Sequence, residues 1–383
     1  MDLVERIVRR RTRRVENRLV VDRDALNPAV HLPEPVGREG LCNQLLDVLD
    51  PLFEESLPPN AYVWGPSGAG KTATVTTLLS ALEQELTDRQ PLYTATRAES
   101  RRSGFGFAYL DARRARSEFR VYRQLLDELR PEPVPERGLG TDEIRADIES
   151  ELATTRGVVV AVDHLGEPET VDLEAVHRFF APFDGVAWIG VGREAPADLP
   201  FPLPETQVHV PGYTHELVDI LTVRGTRGLS RDLDHVHARR IADWADGDAH
   251  DALAALFVAA LSAEADGVVR LRDEDVKAGV GAVPQDGASV ARVLGLPDNE
   301  RRVLRELLET SADGDLPVHD AADRVAARTD LTSSTVTRLL YELSQRGVLR
   351  RQEVSVGRQV VGRPPSTVTP NFSARLFKSL YGD

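Results

Sequence analysis

Residues 61–72 read Ala-Tyr-Val-Trp-Gly-Pro-Ser-Gly-Ala-Gly-Lys-Thr, and this stretch decides the fold. Its last eight residues match the G-x-x-x-x-G-K-[ST] pattern in full, after an apolar run that predicts a buried strand and before a helix expected from Gly70. Backbone N–H groups of such a loop bind phosphates, the lysine neutralises them, and the threonine hydroxyl ligates Mg²⁺. The alternative is a chance glycine-rich turn. The predicted ligands are Gly65, Pro66, Ser67, Gly68, Ala69, Gly70, Lys71 and Thr72.

The segments that flank this loop alternate between short apolar runs and helical patterns. Short strands separated by helices indicate a parallel sheet that is covered on both faces, so we predict an α/β domain over residues 36–212. The predicted strands are 61–65, 105–111, 158–162 and 186–191, and the predicted helices include 119–129, 141–152 and 171–180.

A second strand ends in a carboxylate, as a phosphate-loop site requires. Residues 158–163 read Val-Val-Val-Ala-Val-Asp, and Asp163 is the predicted Mg²⁺ partner of Thr72. The next residue is His164, where a hydrolysing enzyme of this class has a glutamate to polarise water, and Glu167 follows three residues later. His164 is either a substitute base or a structural histidine.

The C-terminal half contains helical patterns and then a DNA-binding pattern. Residues 214–281 predict helices only, and the apolar run 252–263 is too short to span a membrane, so we predict a buried helix. Three amphipathic helices at about 298–310, 317–328 and 333–346 precede the alternating stretch 348–361. Three helices followed by a hairpin predict a winged helix-turn-helix. The predicted organisation is an arm (1–35), the α/β domain, a helical subdomain (213–283) and a winged helix (290–383).

Positive charge is concentrated in the winged-helix region. Residues 338–378 contain eight basic and two acidic residues, although the whole chain carries a formal charge of −14. The N-terminal part of the helix at 333 suits base edges in the major groove, and the wing suits phosphates or the minor groove. A protein-docking module is the alternative. The predicted DNA-binding residues are Ser333, Ser334, Thr337, Arg338, Arg346, Arg350, Arg351, Arg358 and Arg363. The basic arm either contacts the same duplex or is a solvated tail.

Composition limits the compartment and the class of protein. The chain has 383 residues, 41% of them hydrophobic, which is typical of a globular protein with more than one domain. A single cysteine, Cys42, excludes an internal disulfide, and no signal peptide is recognisable, so we expect a cytoplasmic protein. Only three of the 47 basic residues are lysines. An acidic, lysine-poor chain resembles halophile proteins, and a GC-rich genome is the alternative cause.

The order of several short motifs resembles one family, the archaeal Orc/Cdc-type replication initiators of the AAA+ superfamily. The resemblance extends over nearly the whole chain and ends in the winged helix. Its landmarks, besides the phosphate loop, are Asp-Ala-Leu-Asn-Pro at 24–28, Pro-Val-Gly-Arg-Glu at 35–39, Val-His-Val-Pro-Gly-Tyr at 208–213, Ile-Leu-x-x-Arg at 220–224 and Gly-Asp-Ala-His-Asp-Ala-Leu at 247–253.

This resemblance implies an AAA+ domain with a helical lid, ATP or ADP with Mg²⁺ as cofactors, and origin-like double-stranded DNA as partner. It adds Val36, Gly37 and Arg38 as nucleotide-binding residues, and other initiator or helicase subunits as possible partners. The family's Walker-B glutamate, sensor asparagine and lid arginine correspond here to His164, Arg193 and His250. No Arg or Lys occurs from 194 to 223, where the family has its arginine finger. We therefore expect nucleotide binding with weak or absent hydrolysis.

Three functions compete at this point. The first is a nucleotide-loaded replication initiator or a paralogue of one. The second is a nucleotide-gated winged-helix transcription regulator, which would occupy promoters instead of origins. The third is a scaffold that contacts other subunits and binds no DNA.

Overall fold

The structure is a computed structural model that describes residues 18–33, 35–88, 103–130, 132–135, 138–285, 287–310, 316–353 and 366–381. The chain divides into two compact units. One unit is His31–Tyr213, and the other combines the described residues before His31 with those from Thr214 onward. In the described part of the chain, no helix combines the length and the apolar composition needed to cross a membrane.

The described elements follow one another in chain order. Those up to the end of the first unit are α1 (Arg23–Leu26), α2 (Glu39–Leu49), β1 (Ala61–Trp64), α3 (Lys71–Asp88), β2 (Ser103–Asp111), α4 (Glu118–Leu129), α5 (Thr141–Leu152), β3 (Thr155–Leu165), α6 (Leu173–Phe180), β4 (Val186–Gly192) and β5 (Thr206–His209). Those after it are α7 (Glu216–Gly228), α8 (His235–Ala245), α9 (Ala249–Ala265), α10 (Asp273–Gly281), α11 (Val290–Leu294), α12 (Asp298–Thr310), α13 (Val318–Ala326), α14 (Ser333–Gln345), β6 (Leu349–Glu353), β7 (Ser366–Pro370) and α15 (Ala374–Tyr381). Short 3₁₀ turns lie at Asp50–Glu54 and Pro196–Asp198.

The unit His31–Tyr213 is built on a five-stranded parallel sheet in the order β2-β3-β4-β1-β5. Residues 158–162 of β3 are fully buried because both faces of the sheet are covered. One face packs against α4, α5 and α6, and the other packs against α2 and α3. The predicted α/β class with a doubly covered parallel sheet is therefore confirmed, and the carboxyl ends of the strands meet at one edge.

One strand of this sheet has no strong sequence signal. β5 pairs with β1 in parallel, yet only Val208 of its four residues is buried. An edge strand with one buried side chain has neither an apolar run nor a clear alternation, so its pattern does not distinguish it from a loop.

In the other unit, the described residues before His31 pack on the group of four helices α7 to α10. Helix α9 is buried on nearly all sides, as the apolar run 252–263 predicts. The described residues before His31 pack on this unit instead of forming a free arm. Leu19 and Leu26 are buried, and Val20 forms an isolated β-bridge with Leu229. The buried guanidinium of Arg224 donates to the carbonyl oxygens of Asn27 (2.6 Å) and Val30 (2.8 Å).

The last part of this unit is the predicted winged helix. Helices α12, α13 and α14 precede an antiparallel pair in which β6 and β7 run from Leu349↔Pro370 to Glu353↔Ser366. The stretch 348–361 is predicted to form the hairpin. Residues 349–353 of it form β6, its residues 354–361 lie outside the described part of the chain, and the described return strand begins at Ser366.

Candidate functional site

The phosphate loop (Gly65–Thr72) connects β1 to α3 at the carboxyl edge of the sheet. Gly65 has φ +153°, and a Cβ there would lie 2.0 Å from the carbonyl oxygen of Val210. Gly70 has φ +81°, and a Cβ there would lie 2.3 Å from the hydroxyl of Tyr213. Both positions require glycine, because a side chain would meet a neighbour and strain the backbone. The glycines of the motif thus serve the close approach of the loop to the end of β5.

Two polar side chains of the motif and the carboxylate of Asp163 lie at this edge. The Lys71 ammonium donates to the carbonyl oxygens of Gly65 (2.7 Å) and Pro66 (2.6 Å). The Thr72 hydroxyl donates to Oδ2 of Asp163 (2.6 Å), which is buried at the end of β3. The structure therefore brings together the lysine, the hydroxyl and the carboxylate that the sequence predicted as one site.

Tyr109 is a further partner of Asp163 that the sequence did not indicate. It lies near the end of β2, and its hydroxyl donates to Oδ2 of Asp163 (3.0 Å). Burial, and then the charges of Asp163 and Asp111, raise the pKa of Tyr109, so this phenol stays protonated and remains a donor. Asp163 is thus oriented by two hydroxyl groups.

Arg38 joins the phosphate loop to the segment that ends the unit. Its buried guanidinium donates to the carbonyl oxygens of Ala69 (2.9 Å) and Pro211 (2.8 Å) and lies 3.6 Å from the centre of the Tyr213 ring. Val36 and Gly37, which precede it, are half-buried. The structure places Arg38 beside the loop, where it holds the backbone at Ala69, and nucleotide binding by the three residues stays a prediction.

A second cluster lies beyond Asp163, and we name it the Arg193 cluster: His164, Glu167 and Arg193. The register of β3 against β4 shifts between Val162 and Leu165, and His164 has φ +64°, a left-handed conformation that is unfavourable for a residue with a Cβ. Nδ1 of His164 lies 3.3 Å from Oε1 of Glu167. A guanidinium nitrogen of Arg193, which follows β4, lies 3.2 Å from the same oxygen. Glu167, which follows His164 by three residues, therefore contacts both His164 and Arg193.

The cluster adjoins a bidentate ion pair at the end of β2. Asp111 accepts from Nε (2.9 Å) and Nη2 (2.8 Å) of Arg113. Burial alone would lower the pKa of Arg113, but hydrogen bonds to Asp111, the charge of Asp111 and the charge of Glu167 raise it. Arg113 is therefore a permanent cation beside Glu167. No motif marked Asp111 or Arg113, because the signal is their position at a strand end beside β3.

The donors of the phosphate loop fit a nucleotide phosphate and Mg²⁺. A hydroxyl and a carboxylate 2.6 Å apart are hard oxygen ligands of the kind that Mg²⁺ takes. Lys71 supplies a compact cation at the helix N-terminus, where anions are favoured. His250, the third altered position, lies in the other unit near the start of α9, with Nδ1 3.7 Å from Oδ1 of Asp251.

The winged helix presents a polar and basic face on α14 and β6. Thr332 caps α14 by accepting from the N–H of Thr335 (3.3 Å). Ser334, Arg338, Arg350 and Arg351 are exposed, whereas Ser333 and Thr337 are half-buried. Arg358 and Arg363 lie outside the described residues.

The hydroxyls of Ser333 and Thr337 have partners within the winged helix. Ser333 donates to the carboxylate of Asp323, and Thr337 donates to the carbonyl oxygen of Ser333 (2.9 Å). Tyr341 is an exposed aromatic on the same helix, with the Arg351 guanidinium 5.2 Å from the centre of its ring. The sequence reasoning did not single out this tyrosine.

Arg346 does not belong to this exposed face, and its prediction as a DNA contact is wrong. Its side chain is only 8% exposed, and its guanidinium donates to Oε2 of the buried Glu300 (2.7 Å). A guanidinium that neutralises a buried carboxylate stabilises the winged helix and is not available to a phosphate.

Comparison with known proteins shows which proteins this chain is similar to. Residues 34–184 match the AAA ATPase domain and residues 310–353 match the IclR helix-turn-helix domain. The chain is 26% identical to an ORC1-type DNA replication protein 1 of Sulfurisphaera tokodaii, over 89% of this chain and 88% of that protein. It is 23% identical to an ORC1-type DNA replication protein 2 of Archaeoglobus fulgidus, over 88% of each chain. The chain is similar over nearly its whole length to Orc1/Cdc6-type archaeal replication initiators.

Solved structures of Orc1/Cdc6-type proteins have the same fold. The structure of the Aeropyrum pernix Orc1 protein in complex with DNA matches with a TM-score of 0.63 at 23% identity, over 94% of this chain and 96% of that one. Cdc6p from Pyrobaculum aerophilum matches with a TM-score of 0.55 at 19% identity, over 94% and 99%. The AAA+ domain and the winged helix of this chain therefore follow the same order as in those structures, and the predicted resemblance is confirmed.

Proposed function

We propose that this Orc1/Cdc6-type chain is a cytoplasmic replication initiator that binds ATP or ADP with Mg²⁺, binds double-stranded DNA, and hydrolyses nucleotide very slowly or not at all. One observation carries the nucleotide part: Lys71, Thr72 and Asp163 converge at one edge of the sheet. The family and the exposed basic face of α14 and β6 support the DNA part.

Different groups at this site would bind the phosphates and the Mg²⁺. Loop N–H groups and Lys71 would hold the phosphates, and Thr72 with Asp163 would hold Mg²⁺, which neutralises phosphate charge when it is bound. Asp163 is oriented for this by the hydroxyls of Thr72 and Tyr109. These interactions supply ground-state affinity.

The groups that accelerate hydrolysis are replaced. A general base contributes about 10² to 10⁴ to a rate, and an arginine finger contributes about 10³ to 10⁵. Here the base position holds His164, the sensor position holds Arg193, and the segment 194–223 contains no Arg or Lys. The lid position holds His250. Binding without turnover follows from this combination.

The DNA part is tested by a salt titration of fluorescence anisotropy on the full chain, with origin-derived and scrambled duplexes. Each neutralised phosphate contributes about −0.9 to the slope of log affinity against log salt. Replacing Arg350 and Arg351 by alanine should weaken binding to every sequence and flatten the slope by up to about two units. Arg338→Ala should mainly reduce the preference for the origin sequence.

A matched control removes the same charge from the helical part of the same unit. Arg231 and Arg239 are exposed, and the double alanine variant should leave the slope unchanged. If the Arg350/Arg351 variant also leaves affinity and slope unchanged, the winged helix is a protein-docking module and the DNA proposal fails.

A nucleotide-gated transcription regulator is the second candidate function. The helix-turn-helix match at 310–353 supports it, because such a module also binds promoter DNA. Genome-wide immunoprecipitation separates the two functions. Peaks at replication origins support the initiator, and peaks confined to promoters support the regulator.

A further inference from the structure

Glu167 is a buried carboxylate after Asp163 in the chain that the proposed function does not use. Its side chain is only 4% exposed. A short turn holds it in place, because its carbonyl oxygen accepts from the N–H (3.1 Å) and the hydroxyl (2.8 Å) of Thr170. A buried carboxylate is costly unless hydrogen bonds and counter-charges compensate it. The groups that compensate this one determine what it can do.

Cationic groups from two other strand ends face this carboxylate. Arg193, after β4, donates to Oε1 at 3.2 Å, and the charge of Arg113, after β2, couples to it. His164 lies 3.3 Å from the same Oε1. Oε1 of Glu167 is therefore shared between a guanidinium and an imidazole nitrogen.

The end of β4 is anchored in the position that makes this pair possible. The Tyr62 hydroxyl donates to the carbonyl oxygen of Glu194 (2.9 Å), next to Arg193. A Cβ at Gly166 would lie 3.3 Å from the Glu194 side chain, so the two loops lie against each other. Arg193 is therefore positioned by packed backbone, and its guanidinium is directed to the 164–167 turn.

We infer that the Arg193–Glu167 ion pair blocks the side of the nucleotide site from which a water molecule would attack. We also infer that Arg193 would form an ion pair with a carboxylate at position 164, as it does with the one at 167. This inference rests on the proposed function. It goes further because it names Arg193 as a positioning residue that blocks hydrolysis. Restoring the missing glutamate alone would then not restore turnover.

The position of the Arg193 guanidinium beside the His164 ring supports this inference. Its guanidinium and the His164 ring lie 3.2 and 3.3 Å from one oxygen atom, so a glutamate at 164 would project into the space that Arg193 already faces. A carboxylate paired with a guanidinium gains charge-assisted hydrogen bonds, which are about twice as strong as those between neutral groups. Two substitutions are therefore needed: one supplies the base at position 164, and the other removes the Arg193 guanidinium that would pair with it.

The experiment measures turnover of radiolabelled ATP with Mg²⁺ by the full chain and by H164E, R193N and H164E/R193N. We expect H164E alone to stay within a few-fold of the parent, and the double variant to turn over about 100-fold faster, the lower end of what a general base contributes. The dissociation constant of a fluorescent ADP analogue should change less than about three-fold, because the phosphate loop is untouched. A purely structural role of Arg193 would not separate turnover from affinity in this way.

Two further variants keep the test decisive. R193N leaves the Glu167 charge without its guanidinium partner, so the triple variant H164E/E167Q/R193N removes that charge and should show the same gain with better thermal stability. The matched control is H164E/R116N, because Arg116 pairs with Glu169 (2.9 Å) in the same loop. It should behave like H164E.

The inference is overturned if H164E alone turns over as fast as H164E/R193N, or if the double and triple variants both stay at the parent's rate. Failure of the proposed function looks different. In that case the parent chain either binds no nucleotide or already hydrolyses it at more than about one per second.

Discussion

The phosphate loop and the Arg193 cluster lie at the same edge of the sheet, yet they place positive backbone φ on different residues. In the loop, positive φ falls on Gly65, Gly68 and Gly70, where it costs little. In the cluster it falls on His164, which has a Cβ. In the loop, Lys71 donates to backbone carbonyl oxygens and Thr72 donates to Asp163, whereas the charged groups of the cluster are paired with one another. The comparison indicates that phosphate binding and hydrolysis are separable in this chain.

The largest effect is expected from the loop itself. Lys71→Ala should weaken ATP binding by about 100-fold or more, which corresponds to about 2.7 kcal/mol, because no other lysine occurs in this unit to replace the ammonium. Isothermal titration calorimetry measures this change. Lys277→Ala is the matched control, since Lys277 is exposed on α10, and it should bind ATP like the parent. Equal affinities of the two variants would place the phosphates elsewhere.

A smaller effect is expected on folding from the loop's glycines. Gly65→Ala should lower the free energy of unfolding by about 2 kcal/mol, because the new Cβ would meet the carbonyl oxygen of Val210 at a positive φ. Gly40→Ala is the control, because a Cβ in that helix meets nothing within 4 Å. It should stabilise the chain by up to about 1 kcal/mol. Urea denaturation gives both values, and a tolerated Gly65→Ala would show that the loop is less constrained.

The smallest effect is expected at the strained residue of the cluster. His164→Gly relieves the left-handed backbone but loses the contact with Glu167, so the free energy of unfolding should change by less than about 1 kcal/mol. ATP affinity should stay within about two-fold of the parent, because His164 makes no contribution to phosphate binding in this account. A loss of affinity comparable to that of Lys71→Ala would contradict the separation of the two regions.

The sequence predicted the phosphate loop well because the residues of its motif are adjacent in the chain. Lys71 and Thr72 are adjacent, and Asp163 ends an apolar run whose strand character is plain. The family landmarks also appear in order along the chain. Local patterns of this kind determine the parallel sheet, the buried helix α9 and the winged helix.

What the sequence could not predict depends on irregular backbone and on distant packing. Glu167 reaches the site because the chain turns at His164, and no periodicity predicts a positive φ at a histidine. Arg346 was assigned to DNA by its charge, but its partner Glu300 lies 46 residues earlier in the chain. Residues 18–30 pack on the helical part of their own unit, and this packing depends on Arg224, which is distant from them in the sequence.

The central claim is that this chain holds nucleotide without consuming it, and the most direct test follows the fate of bound ATP. The full chain is mixed with radiolabelled ATP and Mg²⁺ at saturation, and bound and free nucleotide are resolved by chromatography over several hours. We predict that the bound nucleotide remains ATP, with turnover near or below about 0.001 per second, the range of a phosphate-loop protein that lacks an arginine finger. Turnover above about one per second that persists in His164→Ala would contradict the account.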